Sequence, residues 1–586
     1  MKNISSPIIY EVDYSNNDLA TIEDKLENKQ HEKYILRFPT VYIVNNEENN
    51  QEYSVYIGET TDIKRRTAEH LQSDTKSRED WEALSKAANP KMFVIGHEHF
   101  NKSLTLDIEN KLMHYLSSVS SVKHVYNRRT NEQMEYYTSD EMEIIFSKIW
   151  RKLRQKNKAL FPIESVIRDS ALFKASPFHK LTDEQIQAKD QILMKIEEAL
   201  NRNRDSQLIL VNGEAGSGKT VLMSNLFYDL FQLSKPDSEN VILRDSSQYL
   251  LVNHDQQLKV YEQLSKKLGI SSKKRDDLVG KPTSFITKHS PEEKVDVVIV
   301  DEAHLLWTQG KQAYRGENQL QDLLDRARVV VAVFDQNQVL SREQYWEEEL
   351  LTNMIHQAQF RGNYIELKNQ MRINASVETV QWIRHLIDEQ EVKSMPQDTG
   401  YQLKVFESPE AMYQQIKQDA QDQEAGISRM LATFDWEYVN QRKPKDSETW
   451  NVSVGDFSLP WNLQLEPPKE QKRKNSKLSW AEQAHTIDEV GSTFTIQGFD
   501  LNYAGVIIGP SVKYRDGKLV FDRTASKNKK AVQQRSTKNG KKYVSDTLLK
   551  NELNVLLTRG VNGLYLFAVD EALQAKLLEV QAAYGK

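Results

Sequence analysis

The most specific chemistry in the chain sits in one stretch, Gly213-Glu214-Ala215-Gly216-Ser217-Gly218-Lys219-Thr220. It directly follows the apolar run 208–212 and fits the pattern G-x-x-x-x-G-K-[ST]. Gly213, Gly216 and Gly218 let backbone N–H groups curl around phosphate oxygens, and a helix starting there points its positive end at them. Lys219 suits the β- and γ-phosphates, and Thr220 suits Mg²⁺. A second apolar run, 297–300, delivers Asp301 and Glu302, followed by Ala303 and His304. Asp301 suits the metal's coordination sphere and Glu302 the polarisation of an attacking water. Paired acids after an apolar run are common helix starts; 81 residues downstream of Thr220, they read as the partner of the phosphate loop. The two motifs together imply hydrolysis of a nucleoside triphosphate, with ATP and Mg²⁺ as the expected cofactors.

A second constellation lies near the N-terminus. Val41-Tyr42-Ile43 and Tyr56-Ile57-Gly58 sit on two strand-like runs, 39–44 and 53–58, joined by the Asn/Glu-rich turn 45–50. Arg66 follows, and His70 stands four residues later on the same helix face. Glu109 opens Glu109-Asn110-Lys111-Leu112 on a later helix, and Asn127 follows Tyr126. Phosphodiester cleavage needs charge neutralisation at phosphorus, a metal at an attacking or leaving oxygen, and a proton acceptor. Arg, Glu and Tyr or His supply these; the alternative is a structural α/β module with ordinary surface Arg and Glu.

The elements that must position these groups fall into blocks. Residues 1–33 are polar and irregular and read as an N-terminal arm. A small α/β unit spans 34–135, with a strand at 91–95 and a helix at 104–116 whose Leu104, Ile108, Leu112 and Tyr115 share a face. A charged helical linker spans 136–176, with Ile145, Ile149, Trp150 and Leu153 as its apolar stripe. Non-alternating apolar runs at 207–212, 249–253, 295–300 and 329–334 then predict parallel strands covered on both faces. A second series, 364–367, 430–434, 505–508 and 563–569, predicts a second such lobe. The lobes are expected at 177–350 and 351–586, with a polar excursion at 435–477 in the second.

The order of motifs from 177 to 586 resembles superfamily 1 helicases, and most of all a bacterial family of unknown function related to the C-terminal helicase-like domain of Schlafen proteins. Leu181-Thr182-Asp183-Glu184-Gln185 resembles the adenine-reading motif, which implies that Gln185 binds the base. Leu250-Leu251-Val252-Asn253-His254 matches the strand-contacting motif Ia. Val333-Phe334-Asp335-Gln336-Asn337-Gln338 resembles motif III, with Gln338 sensing the γ-phosphate. Leu367-Lys368-Asn369-Gln370-Met371-Arg372 and Asn554-Val555-Leu556-Leu557-Thr558-Arg559 resemble motifs IV and VI, which makes Arg372 and Arg559 arginine fingers. Thr493-Phe494-Thr495-Ile496-Gln497-Gly498 is similar to motif V, which couples strand contact to ATP. Ser428-Arg429-Met430-Leu431-Ala432-Thr433-Phe434-Asp435-Trp436 also resembles a strand of that family.

The N-terminal constellation resembles the GIY-YIG endonuclease domain over 38–130, with Val41 in place of the first glycine. The match implies that Tyr42 and Tyr56 line the site and one serves as base. It implies that Arg66 stabilises the phosphate, Glu109 holds a divalent metal, Asn127 supports the site and His70 aids proton transfer. The implied fold class is α/β: a small mixed α/β nuclease domain followed by two RecA-like, doubly wound parallel-sheet lobes. The implied activity is an ATP-dependent nucleic-acid motor coupled to an endonuclease using Mg²⁺ or Mn²⁺. The expected partner is DNA, single-stranded or branched, in restriction, repair or anti-phage defence, with a second copy or a defence-system partner as further candidates. The alternatives are an ATP-switched binder with an inactive head, and an RNA-directed nuclease.

Composition bounds all of this. The 586 residues carry Lys+Arg 78 against Asp+Glu 84, so nucleic acid must be met by local patches and not by a global field. No run approaches the roughly 20 apolar residues of a membrane span, and the start lacks the pattern of a secretory signal. Cys 0 excludes disulfides, thiolate metal sites and cysteine nucleophiles, and fits a cytoplasmic location. His97-Glu98-His99 reads as a surface pair or a metal site, 515–542 as a phosphate grip or a solvated loop, and Trp307, Phe334 and Tyr503 as base-stacking or core aromatics.

Overall fold

The computed structural model describes residues 4–15, 22–48, 52–72, 90–126, 136–168, 170–213, 216–271, 277–310, 314–368, 372–421, 426–440, 442–468, 475, 478–537 and 540–584. The chain divides into two compact units. One comprises Met1–Leu181, Ser224–Asp245 and Val260–Val279; the other comprises Thr182–Met223, Ser246–Lys259 and Gly280–Lys586.

In the first unit the described strands are β1 (Ile8–Asp13), β2 (Thr40–Glu47), β3 (Tyr53–Thr60), β4 (Lys91–Gly96) and β5 (Val122–Val125). They form a sheet in the order β1-β4-β2-β3-β5, antiparallel except for β3 with β5. Helix α1 (Ile63–Gln72) follows β3 directly, and α2 (Lys102–Ser118) follows β4. Asn101 caps α2 by accepting from Leu104 N–H at 3.0 Å. The predicted face of α2, Leu104, Ile108, Leu112 and Tyr115, is buried.

Two expectations are corrected here. Residues 8–13 are not part of a free arm: they pair with β4, Ile8 opposite Gly96 through Asp13 opposite Lys91. Only Val12 of the six is fully buried, as an edge strand allows, although Ile8, Ile9 and Tyr10 are apolar too. The block 136–176 is not a free linker either. Its helix α3 (Met142–Lys156) buries Ile145, Ile149, Trp150 and Leu153, and Phe146 and Trp150 stack near Tyr115 of α2 with ring centroids 4.7 and 5.1 Å away.

In the second unit, helix α4 (Asp183–Asn201) leads into the first lobe. That lobe's described strands are β6 (Gln207–Gly213), β7 (Gln248–Val252), β8 (Val279–Gly280), β9 (Val295–Asp301), β10 (Ala327–Phe334) and β11 (Tyr364–Leu367), in the order β11-β6-β10-β9-β7-β8. The pairs β11–β6, β6–β10, β10–β9 and β9–β7 are parallel. Val297 to Val300 and Val329 to Val333 have no exposed surface, as a sheet covered on both faces requires. Strand β11, expected to open the second lobe, pairs with β6 of the first: a strand's own pattern does not say which neighbour it joins. Helices α5 (Lys219–Leu233) and α6 (Asp255–Lys267) follow β6 and β7.

The second lobe contains β12 (Gln402–Val405), β13 (Arg429–Ala432), the hairpin β14–β15 (Asn451–Val454, Phe457–Pro460), β16 (Val490–Gly491), β17 (Leu501–Ile508), the hairpins β18–β19 (Val512–Arg515, Lys518–Phe521) and β20–β21 (Arg535–Thr537, Gly540–Lys542), and β22 (Gly560–Ala568). Its sheet runs β12-β22-β17-β13-β16, all parallel. Helix α7 (Ser545–Leu557) enters β22. The excursion after β13 is anchored, not loose. Trp461 is fully buried, and the buried Glu489 carboxylate accepts from the backbone N–H groups of Leu463, Gln464 and Leu465 and from Trp480 Nε1. The stretch 515–542 is likewise largely two hairpins with Ala531 buried, and not a plain loop.

Candidate functional site

The first unit gathers Tyr42, Tyr56 and His70 on one side of the β2–β3 hairpin. Register sets Tyr42 directly opposite Gly58. A Cβ on Gly58 would stand 2.4 Å from Tyr42 Cζ and Oη, so only glycine lets the Tyr42 ring lie across that position. The ring is buried and nearly parallel to Tyr56, centroids 6.2 Å apart. His70, buried on α1, shares a hydrogen bond between its Nε2 and Tyr42 Oη at 2.9 Å, and its ring lies 5.7 Å from that of Tyr56. Val41, which replaces the expected glycine, points to the other face and is buried there, opposite Glu59. The departure therefore leaves the Tyr42 side untouched.

Charge converges on the same place. Burial pushes the Tyr42 phenol well above its ordinary pKa, with Tyr56 and Glu109 adding to the rise and Arg66 opposing it. Arg66, one helical turn before His70, is held charged by the two tyrosines and Glu69, against the cost of its partial burial. Glu109, half-buried on α2, has its carboxyl pushed up to about 8 by burial and by Glu59, while Lys102 and Arg66 pull it back. Lys102 pairs with Glu59, and a Glu109 carboxylate raised by burial and by Glu59 gains from a cation beside it. The site thus fits a divalent metal held by one protein carboxylate. Asn127 lies outside the described residues. Among the described residues no group of three or more His, Cys, Asp and Glu could hold a metal. His97 is buried, not a surface residue, and hydrogen bonds to Ser5, while His99 pairs with Glu141.

In the second unit the phosphate loop behaves as its glycines predict. Gly216 and Gly218 adopt φ of 92° and 73°, and a Cβ on Gly216 would stand 2.5 Å from Arg372 Cβ. Arg372 is paired through Nε with Asp500 Oδ1 at 2.5 Å, and its buried Nη1 finds no hydrogen-bond partner. An orphaned guanidinium N–H beside the phosphate loop fits an anionic phosphate there. Lys219 Nζ donates to Gly213 O at 2.5 Å and lies 3.4 Å from Asp335 Oδ2. Asp335 is held below its usual range by Lys219, despite its burial.

Strand β9 ends on Asp301, and Glu302 takes a left-handed φ of 52°. Glu302 is buried, and its Oε2 makes no hydrogen bond of good geometry; burial raises its carboxyl, with Lys219 and Arg559 opposing. His304 lies 3.1 Å from it and is pushed down to about 4 by burial, so it is a neutral imidazole at neutral pH. Thr220 Oγ1 and Asp301 Oδ2 are drawn together by Gln257 Nε2, at 3.3 and 2.6 Å. The paired hydroxyl and carboxylate oxygens suit a hard cation such as Mg²⁺.

The second lobe closes on motif III. Gln338 Nε2 donates to Asp335 Oδ2 at 2.7 Å, and Arg559 Nη2 donates to Gln338 Oε1 at 3.3 Å. Asn551 Nδ2 donates to Gln336 O and Val339 O, Asn554 Nδ2 to Asn337 O, and Gln497 Nε2 to Gln338 O. Four consecutive carbonyls of the 336–339 turn are thus satisfied by amides of the second lobe. Gln185 is placed differently from an open base reader. Its Nε2 donates to Ser217 O at 3.2 Å, and its Oε1 accepts from Thr182 N–H in a capping box, so here it braces the phosphate loop. Asn369, Gln370 and Met371 lie outside the described residues. Phe334 belongs to the first lobe's core and Tyr503 stacks on Tyr565.

The sequence reading missed Asp335, Asp500, Gln257, Asn551 and the Asn554 amide as site residues. Asp335 and Asn554 lay inside motifs already quoted; the others have no local signature. No helix among the described residues is long and apolar enough to cross a membrane. The family description "GIY-YIG catalytic domain" matches residues 38–119, and "Schlafen group 3, DNA/RNA helicase domain" matches 206–570. Uncharacterized protein YPL245W of Saccharomyces cerevisiae is 32% identical over 466 residues, covering 73% of this chain and 96% of the relative. The likeness is therefore not confined to bacterial proteins. With a GIY-YIG domain at one end and a match across more than half its length at the other, the chain is a nuclease–helicase fusion that belongs to the Schlafen group 3 helicase-domain family.

Proposed function

We propose that the protein is a metal-dependent endonuclease whose cutting of DNA is coupled to an ATP-driven motor. The observation that carries the nuclease half is the convergence on Tyr42: His70 Nε2 at 2.9 Å, with Arg66 and Glu109 both acting on its phenol. His70 takes the proton from Tyr42 as the phenol draws one from the attacking water. Arg66 neutralises the phosphate, and Glu109 is the residue that would hold Mg²⁺ or Mn²⁺, whose chemistry would be charge stabilisation at the phosphate oxygens. Arg66 and Lys102 lower the cost of ionising Glu109.

In the motor half, Lys219 turns from Asp335 to the phosphates, Glu302 orients the water, and Arg372 and Arg559 stabilise transferring charge from the second lobe. Asp301 and Thr220 hold Mg²⁺ with ATP. A nuclease joined to a motor suits restriction, repair or defence against foreign DNA. The matched family description names DNA and RNA together, which favours RNA as the second substrate to try.

The test is cleavage of end-labelled single-stranded, duplex and forked DNA, and of RNA, in Mg²⁺ with and without ATP. The parent and Glu109→Gln are run side by side. Cleavage by the parent that is lost in the variant supports the assignment. Equal cleavage by both, or none by the parent while ATP is consumed, overturns it in favour of an ATP-switched nucleic-acid binder.

A further inference from the structure

Gln257 stands in the first turn of α6, three residues after His254, and nothing in the ATP chemistry above uses it. Its side chain is buried. Its Nε2 donates to both oxygens that suit the cation, Asp301 Oδ2 at 2.6 Å and Thr220 Oγ1 at 3.3 Å. Its other end, Oε1, is buried without any hydrogen-bond partner. The place that Oε1 faces is tight: a Cβ on Gly498, which has a φ of 85°, would lie 3.3 Å from it. An amide with its donors' work done and its acceptor orphaned is satisfied on one side only, which penalises the buried oxygen.

The same amide turned over would present Oε1 toward Thr220 and Asp301. The acceptor-only Asp301 carboxylate repels that carbonyl when nothing lies between them. A divalent cation with its hydration water reverses the sign, because carbonyl oxygens are good partners for hard cations and their waters. We infer that Gln257 is a further residue of the nucleotide's metal site, donating to Thr220 and Asp301 without the ion and turning its Oε1 toward the ion's shell when ATP and Mg²⁺ enter. This rests on reading Lys219, Thr220 and Asp301 as a nucleotide site. It adds a consequence: Gln257 belongs to the helix that follows the motif Ia strand, and its Oε1 abuts motif V, so the cation is felt by both elements that resemble strand-contacting motifs.

The test uses Mn²⁺ as the probe, with binding followed by electron paramagnetic resonance in the presence of the non-hydrolysable analogue AMP-PNP. The parent, Gln257→Ala and Gln257→Glu are compared, and AMP-PNP affinity is also measured in EDTA. Loss of a group that orients a metal's partners weakens binding about 10-fold or more. Gln257→Ala is expected to weaken nucleotide-dependent Mn²⁺ binding about 10-fold while AMP-PNP affinity in EDTA is unchanged. Gln257→Glu, which keeps an oxygen at the same reach, is expected to retain or tighten it. Unchanged or tighter Mn²⁺ binding by Gln257→Ala overturns the inference, because Gln257 would then merely block the site. A parent that binds AMP-PNP but no Mn²⁺ overturns it too and leaves the nucleotide reading standing; a parent that binds neither overturns both.

Discussion

The two sites are built at different ranges. Tyr42, Tyr56, Arg66 and His70 come from one hairpin and the helix that follows it, and only Glu109 arrives from a later helix. The nucleotide site collects Gln185, the 213–220 loop, Asp301, Glu302, Asp335, Gln338, Arg372 and Arg559, spread over most of the second unit. The first is made by strand register, with aromatic rings as its walls. The second is made by agreement between two lobes, with amides and guanidinium groups meeting carbonyls and carboxylates. A site fixed by register fails when one ring is displaced. A site fixed by agreement keeps its ligand and loses the coordination between its halves.

The sharpest break is Lys219→Ala. Removing the cation from the phosphate loop is expected to lower ATP turnover about 100-fold or more, measured by phosphate release, with ATP-independent nicking retained. Next is Glu109→Gln, expected to lower cleavage about 100-fold and leave ATP turnover within about twofold, since Glu109 and Lys219 belong to different compact units. If either substitution silences both activities, the two sites are not separable.

A subtler test of register is Gly58→Ala. Its Cβ would meet the Tyr42 ring at 2.4 Å, so the ring must move, at about 1–3 kcal/mol of stability. Cleavage is expected to fall about tenfold or more, as a displaced catalytic group does, with ATP turnover unchanged; an active Gly58→Ala would mean that Tyr42's position is not critical. The smallest effect tests agreement between lobes. Asn551→Asp sets a carboxylate against Gln336 O and Val339 O in place of a donor. The expected result is a several-fold loss of polynucleotide-stimulated kcat, on the scale of about 1 kcal/mol for a lost hydrogen bond, with KM for ATP unchanged. A parallel loss of Tm and of both constants would point to a merely structural Asn551.

What was legible in the sequence follows from what chemistry requires to be contiguous. The phosphate loop must be one segment after a strand, so its residues announce themselves. The buried parallel strands must be apolar throughout, and the runs at 295–300 and 329–334 became the centre of a sheet. The pairing of the strands that carry Tyr42 and Tyr56 was visible as a hairpin pattern, while the opposition of Tyr42 and Gly58 is set by the register. Strand β1 was not legible, because its short apolar run Ile8-Ile9-Tyr10 stands alone in a polar stretch and its partner lies some 80 residues away. The neighbour of β11 was not legible for the same reason. Gln185 illustrates a different limit: Thr182-x-x-Gln185 is also a capping-box pattern, and that is the bond it makes in the structure. Gln257 and Asn551 are ordinary helix residues until the fold sets them beside Thr220 and Asp301 or beside the 336–339 turn.

Strand β1 has a consequence for how this nuclease head can be moved or shortened. The matched catalytic segment, 38–119, begins after it. A chain started there would leave the outer rim of β4, which β1 covers over six residues, with the N–H and C=O groups of its alternate residues unanswered, next to the buried Phe93 and Val94. Such a rim recruits strands from other molecules. Lys152, which donates to Pro7 O at 2.6 Å from α3, would lose its anchor as well. Grafting the segment between proteins would therefore select for companions that bring their own cover, and the portable piece is the segment together with β1 and α3.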